Sequence, residues 1–281
     1  MGVRFAPQQR LDVAYLGLAT GYSFLLPLKG SISPLDALIL VGLFAACTWR
    51  VSRLPSEAPR LVGRAEWIGS LPRGRRRLAT AGLFLYSGVV LFACAEPFAA
   101  ALIHAGSVLG VDEFLLAQWR APLASEAPEI IVASLFAWRL TAGIGLGALV
   151  SSKFNQWALL VGSLPLASSL AGGRLQALPL DERQTSELLL TAAQSLLAVT
   201  LLLGLRLALV DAVLLLGLFL VQLLFPESHD VVSVAYLALA GIMAVRGRRQ
   251  LGALVREGVL GAAPAQPAAF EPKPVAGAGQ R

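Results

Sequence analysis

The sequence predicts an all-α protein, a polytopic transmembrane helical bundle of about eight helices. Three observations carry that expectation. Hydrophobic residues make up 56% of the 281 residues, charged residues only 14%, and the mean hydropathy is +0.70. A soluble domain of this length carries about 25% charge. The apolar residues gather near 11–28, 33–49, 78–104, 111–138, 142–171, 187–205, 207–225 and 231–245, and a helix needs about 20 residues to cross the hydrocarbon. Finally, Lys and Arg alternate between the ends of these segments in the way that orients membrane helices.

Taken in order, residues 1–10 carry Arg4 and Arg10, and no A-x-A cleavage pattern follows the first apolar run. A retained signal anchor is expected rather than a removed signal peptide. The first two helices (1–50) contain only Asp12 and Asp36 as acidic residues, both near helix ends. A basic, proline-containing linker (51–77) separates them from the main membrane block (78–246). Arg50, Arg53, Arg60, Arg64, Arg73, Arg75, Arg76 and Arg77 mark this region as cytoplasmic. Crossing one helix at a time then places Arg139, Arg206, Arg246, Arg248, Arg249 and Arg256 inside. Only Lys29, Arg174 and Arg183 fall outside. The eighth segment is short, and its partial insertion would leave seven spans. Residues 247–281 form a cytoplasmic tail, and 261–281, rich in Ala, Pro and Gly without periodicity, are expected to be disordered. The formal charge of +6 is thus a topology signal, and nucleic acid is excluded as a partner. Cys47 and Cys94 have no metal or redox spacing.

The polar chemistry concentrates in 118–157. Glu126 and Glu129 stand three apart and share a helix face, and Ser125 joins it one turn before Glu129. Pro122 and Pro128 interrupt the apolar run around them, and Pro128 leaves the carbonyl of Ala124 without its helical donor. A small-residue run follows (Gly143, Gly145, Gly147, Ala148), then a second polar knot of Ser151, Ser152, Lys153, Asn155 and Gln156. Ionisable groups in lipid are costly and by default mark a substrate or ion pathway. The plain alternatives are a structural carboxylate pair, packing roles for Ser152 and Gln156, and close helix packing at the G-x-x-x-G of Gly143 and Gly147.

Read together, these residues resemble the second of two inverted repeats in the calcium:cation antiporter superfamily, the sodium/calcium exchanger membrane region. That repeat reads roughly G-T-S-L-P-E, then after a helix and a turn G-N-x-x-G-S-N-x-x-[ND]. The chain has Ala124-Ser125-Glu126-Ala127-Pro128-Glu129 and, at a suitable separation, 147–156 as GALVSSKFNQ. The resemblance extends over roughly 78–226. It implies half of an inverted-repeat antiporter fold, working by alternating access and exchanging cations such as Na⁺, Ca²⁺ or H⁺ with no other cofactor. By the same resemblance Glu129 is the cation-binding and metal-ligating glutamate, with Glu126 an added carboxylate. Ser125, Ser152 and Gln156 are further oxygen ligands. Lys153 replaces the repeat's asparagine, and Ala148 its other one. The lysine is read either as a charge partner beside the site or as a structural neutraliser of Glu126. These changes leave proton-coupled or monovalent exchange open beside calcium.

Residues 1–110 hold no partner motif; the SEAP echo at 56–59 lies in the basic linker. Either a preceding repeat or a second subunit is therefore expected to complete the transporter, the former being favoured. The expected setting is a bacterial inner (plasma) membrane, with the lipid bilayer and inorganic cations as partners. Two other classes compete. A membrane scaffold or accessory subunit fits a single repeat. An intramembrane hydrolase fits poorly and no enzyme is expected: His104 and His229 are the only histidines and lack metal spacing, while adjacent Ser152 and Lys153 cannot face each other on a helix.

Overall fold

Every one of the eight apolar segments forms helix in the computed structural model, which describes residues 2–4, 9–54, 64–109, 121–138, 142–225 and 228–259. The tail 261–281, the middle of the basic linker (55–63) and the start of the fourth apolar segment (111–120) lie outside the described residues. Among the described residues, five helical stretches are long and apolar enough to cross a membrane: Arg10–Lys29, Pro34–Val51, Arg73–Phe98, Glu182–Gly204 and His229–Arg246. The last of these is 18 residues, the same length as Pro34–Val51 and shorter than the other three.

The chain divides into two units, Met1–Arg53 with Ala133–Arg281, and Leu54–Val132. In the first, α1 (Arg10–Ser23) and α2 (Leu25–Lys29) make one span. Gly30 closes it at φ 64°, a left-handed conformation that glycine adopts without strain. Helix α3 (Pro34–Val51) then starts on a capping box: Ser33 accepts from the Asp36 N–H, and Asp36 accepts from the Ser33 N–H, with Pro34 in the first turn. Asp36 also accepts from Tyr22 Oη at 2.5 Å and from Lys29. Its role is thereby structural.

In the second unit α4 (Arg64–Ser70) leads into α5 (Arg73–Leu109), which is helical through Pro97, and into the first part of α6 (Ala121–Trp138). The first unit resumes with the end of α6 and with α7 (Ala142–Asn155). A π-helical turn, Gln156–Val161, joins α7 to α8 (Gly162–Gly172). Helix α9 (Glu182–Leu201) opens on a second capping box, Asp181 with Gln184. Helices α10 (Leu209–Leu224), α11 (His229–Arg246) and α12 (Arg248–Leu254) follow, and a second π-helical turn, Val255–Val259, ends the described chain.

The core lies where α1 meets α7, the π turn and α9. Val13, Leu16 and Ala19 of α1 are buried with Phe154, Trp157, Ala158 and Val199. Small residues permit the close approaches: a side chain at Gly162 would press on Leu40 and Val41 of α3 at 3.1–3.2 Å. A second cluster packs α9 on α11 through Leu190, Ala193, Leu197, Val232, Tyr236 and Ala240.

Two short antiparallel pairs and one strap sort the helix ends. Strand β2 (Ser31–Ile32) pairs with β3 (Leu178–Pro179), joining the loops that carry Lys29, Arg174 and Arg183. At the other ends, β1 (Gly2–Arg4) pairs with β4 (Arg206–Ala208). Arg10 forms an ion pair with Glu257, and Arg50 Nη1 donates to the Gly258 carbonyl at 2.8 Å. Within this unit the helix ends that carry Arg10, Arg50, Arg206 and Arg256 are thus joined by contact, as are those beside Lys29 and Arg174. Cysteines introduced at positions 60 and 250 are expected to resist an impermeant thiol reagent in intact cells, while one at 175 reacts. Ready labelling at 60 would invert the topology.

Candidate functional site

Helix α6 runs as one helix through both prolines, so Pro122 and Pro128 do not divide it. Glu126 and Glu129 sit three apart on this helix, and both are exposed. They belong to the unit Leu54–Val132, whereas Ser151, Ser152, Lys153 and Gln156 belong to the other. The side chain of Ser125 lies outside the described residues.

Helix α7 assembles the second polar knot. Its Gly143 carbonyl accepts from Gln9 Nε2 at 3.1 Å, and the same glutamine side chain lies across Gly147. The G-x-x-x-G pair therefore receives a side-chain amide rather than a neighbouring helix. The close helix approach occurs midway between them, at Gly145, where an added Cβ would stand 3.0 Å from the Ala133 carbonyl and 3.1 Å from Phe136 Cβ. Further along, Ser151 Oγ donates to Asp12 Oδ2 at 3.0 Å, and Lys153 Nζ donates to Gln156 Oε1 at 3.3 Å. Ser152, Lys153 and Gln156 are all half-buried.

The lysine also borders a cavity of about 340 Å³. Leu16, Val150, Leu215 and Phe219 supply apolar wall, and Gln194, Ser195 and Tyr236 supply polar groups. Those polar groups are mutually satisfied. Gln194 Nε2 donates to Gln222 Oε1 at 2.7 Å and reaches Tyr236 Oη at 3.4 Å. Trp157, 2% exposed, donates its indole N–H to Ser195 Oγ at 3.1 Å, and Ser195 donates in turn to the Thr191 carbonyl at 2.8 Å.

Sequence reasoning missed Asp12 as a member of this site. The only signal was its rarity, as one of two acidic residues in the first two helices. Its partner Ser151 lies 139 positions away, and no local pattern encodes that contact. His229 pairs with Glu187 at 2.8 Å. Among the described residues no three His, Cys, Asp or Glu side chains gather as a metal cluster. The knot offers carboxylate, hydroxyl and amide oxygens, the donors that hard cations and protons use.

Comparison with known proteins places this arrangement. A model of the sodium/calcium exchanger protein family matches residues 79–226. A crystal structure of the H⁺/Ca²⁺ exchanger CAX superposes with a TM-score of 0.87 at 41% identity, over 92% of this chain and 66% of that one. The chain thus spans just under two thirds of that exchanger's length. A search of curated proteins finds no match.

Ser195 joins α9 to the π turn through one indole N–H. Ser195→Ala leaves that buried donor unsatisfied and is expected to lower stability by about 1–3 kcal/mol. Trp157→Phe removes the donor and keeps most of the ring, so combining the two should cost less than their sum. Thermal unfolding of the purified variants in detergent measures this, and additive losses would contradict it.

Proposed function

The chain belongs to the sodium/calcium exchanger protein family, and on that footing we propose that it is a multi-pass cation antiporter of the bacterial inner membrane, exchanging Ca²⁺ against H⁺. One observation carries the reading: the paired polar repeat at 125–156 lies wholly within the matched range 79–226. Similarity to a structure named as an H⁺/Ca²⁺ exchanger supports the choice of ions.

The proposed chemistry follows from the donors. Ca²⁺ takes six to eight oxygens. Glu129 and Glu126 provide carboxylates, with Ser125, Ser152 and Gln156 as hydroxyl and amide ligands, and this half-site leaves further oxygens to a second repeat. Such a repeat would cover the exposed carboxylate face of α6. Carboxylate ligands must be deprotonated to take the cation, so Ca²⁺ binding and proton release are linked. Alternating access would then carry whichever ion is bound from one side to the other.

Lys153 modifies this scheme. Its ammonium is the natural counter-charge for Glu126, since an unpaired charge at this depth would be far costlier. With that pair made, Glu129 becomes the principal ion ligand.

Flux in proteoliposomes tests the reading. The complete, two-repeat form of the protein should take up Ca²⁺ when an outward proton gradient is imposed, and Glu129→Gln should abolish uptake while preserving folded protein. Uptake by parent and variant alike would overturn the assignment. Glu126→Gln and Lys153→Asn should each impair flux, and the double change should restore part of the loss. Coupling of contacting charges is about 0.5–3 kcal/mol, so strictly additive effects would mean that the two residues do not meet.

A further inference from the structure

Asp12 sits in the first turn of α1, a position that often serves only the helix dipole. Here the carboxylate turns to a neighbouring helix instead. It is half-buried, and Ser151 Oγ meets it at 3.0 Å. Among the described residues that hydroxyl is its one hydrogen-bond donor, and no cationic side chain pairs with it. The other acidic groups of α1–α3 and the strap are committed. Asp36, at the opposite helix ends, is held by Lys29, Tyr22 and Ser33. Glu257 is held by Arg10, which stands two residues from Asp12 and so cannot face the same way on the helix.

The surroundings are equally specific. Ser151 directly precedes Ser152 and Lys153. Leu16, one turn along α1 from Asp12, lines the same cavity as Lys153. Asp12 is thus the carboxylate of the first two helices that reaches the polar knot of α7.

We infer that Asp12, with Ser151, is a proton-binding site of the transport path, resting on the antiport reading above. The number of donors decides which ion it serves. One carboxylate and one hydroxyl cannot furnish the six to eight oxygens of Ca²⁺, whereas a proton needs a single oxygen. An isolated carboxylate in a membrane span is also the kind of group that proton relays use. Binding forms one O–H bond on the Asp12 carboxylate and neutralises it. Release returns the proton to water on the side then open. Ser151 switches its hydroxyl from donor to acceptor as the carboxylate gains the proton.

Several groups bear on that exchange. From α3, Cys47 and Arg50 are in play: Asp12 and Arg50 both lie within electrostatic reach of the Cys47 thiol. From α7 comes Lys153, and from the strap Val255–Val259 come Arg256 and the Arg10–Glu257 pair. The charged residues of α9 (Glu182, Arg183, Glu187) and Lys29 of α2 stand at the opposite ends of their helices, beside the β2–β3 pairing.

Two measurements on the full chain test the inference. In proteoliposomes Asp12→Asn is expected to lose proton-driven Ca²⁺ uptake and its pH dependence while keeping Ca²⁺/Ca²⁺ exchange. Asp12→Glu should retain coupling. Ser151→Ala should shift the midpoint of the pH profile upward, because the hydroxyl that favours the ionised carboxylate is gone. An unchanged profile in Asp12→Asn or in Ser151→Ala would overturn the proposal. Infrared difference spectra on acidification give an answer independent of flux, through a protonated-carboxyl C=O band present in the parent and missing in Asp12→Asn. A band unaffected by the substitution would refute the site. Failure of the parent to exchange Ca²⁺ for H⁺ at all would instead refute the antiport reading, leaving the infrared band to decide on Asp12. Should Asp12→Asn fail to fold, Ser151→Ala and Asp12→Glu carry the test.

Discussion

The structure depends on one constraint: inside a bilayer, a polar group must find its partner within the protein or line a path for something polar. The first unit meets it group by group. Trp157 is bound by Ser195 and Ser195 by Thr191, Gln194 is bound to Gln222 and Tyr236, and Asp36 is enclosed by Lys29, Tyr22 and Ser33. Thr20 Oγ1 alone among the described buried side-chain atoms lacks a protein partner. Asp12 and the polar knot of α7 stand out against this background. Asp12 carries a carboxylate into a helical stretch long and apolar enough to cross a membrane, and the Ser151 hydroxyl of α7 meets it there.

The same constraint explains the placement of the glycines. A helix carrying short polar side chains must come close enough to its neighbours for them to meet. Gly145 lets α7 lie against the end of α6, and Gly162 lets α8 lie against α3. Gly143 and Gly147 leave room for Gln9, whose amide reaches a backbone carbonyl. The π turn at Gln156–Val161 sits at the junction and leaves Trp157 buried against α9. The strap Val255–Val259 and the pairing of β1 with β4 then bind the helix ends on one side, while β2 with β3 binds those on the other.

Much of the fold was legible because its signal is local. Hydropathy located the apolar segments, each of which contains helix among the described residues. The polar repeat was legible for the same reason: Pro128-Glu129 and Ser151-Ser152 lie close in sequence, inside the range that the family model matches. Two things were not. The contact between Asp12 and Ser151 spans 139 residues, and only the packing of α1 on α7 creates it. The exposure of Glu126 and Glu129 was likewise beyond the reach of helical periodicity, which groups them on a face without saying what covers it.

The claim on which the account rests is that Glu129 ligates the transported cation. Thermal unfolding of the purified chain in detergent, with and without Ca²⁺, tests it most directly, because a ligand that binds only the native state raises Tm with its concentration. The account predicts a Ca²⁺-dependent rise in the parent that disappears in Glu129→Gln, with the two proteins unfolding at similar temperatures when Ca²⁺ is withheld. An equal rise in both would contradict it.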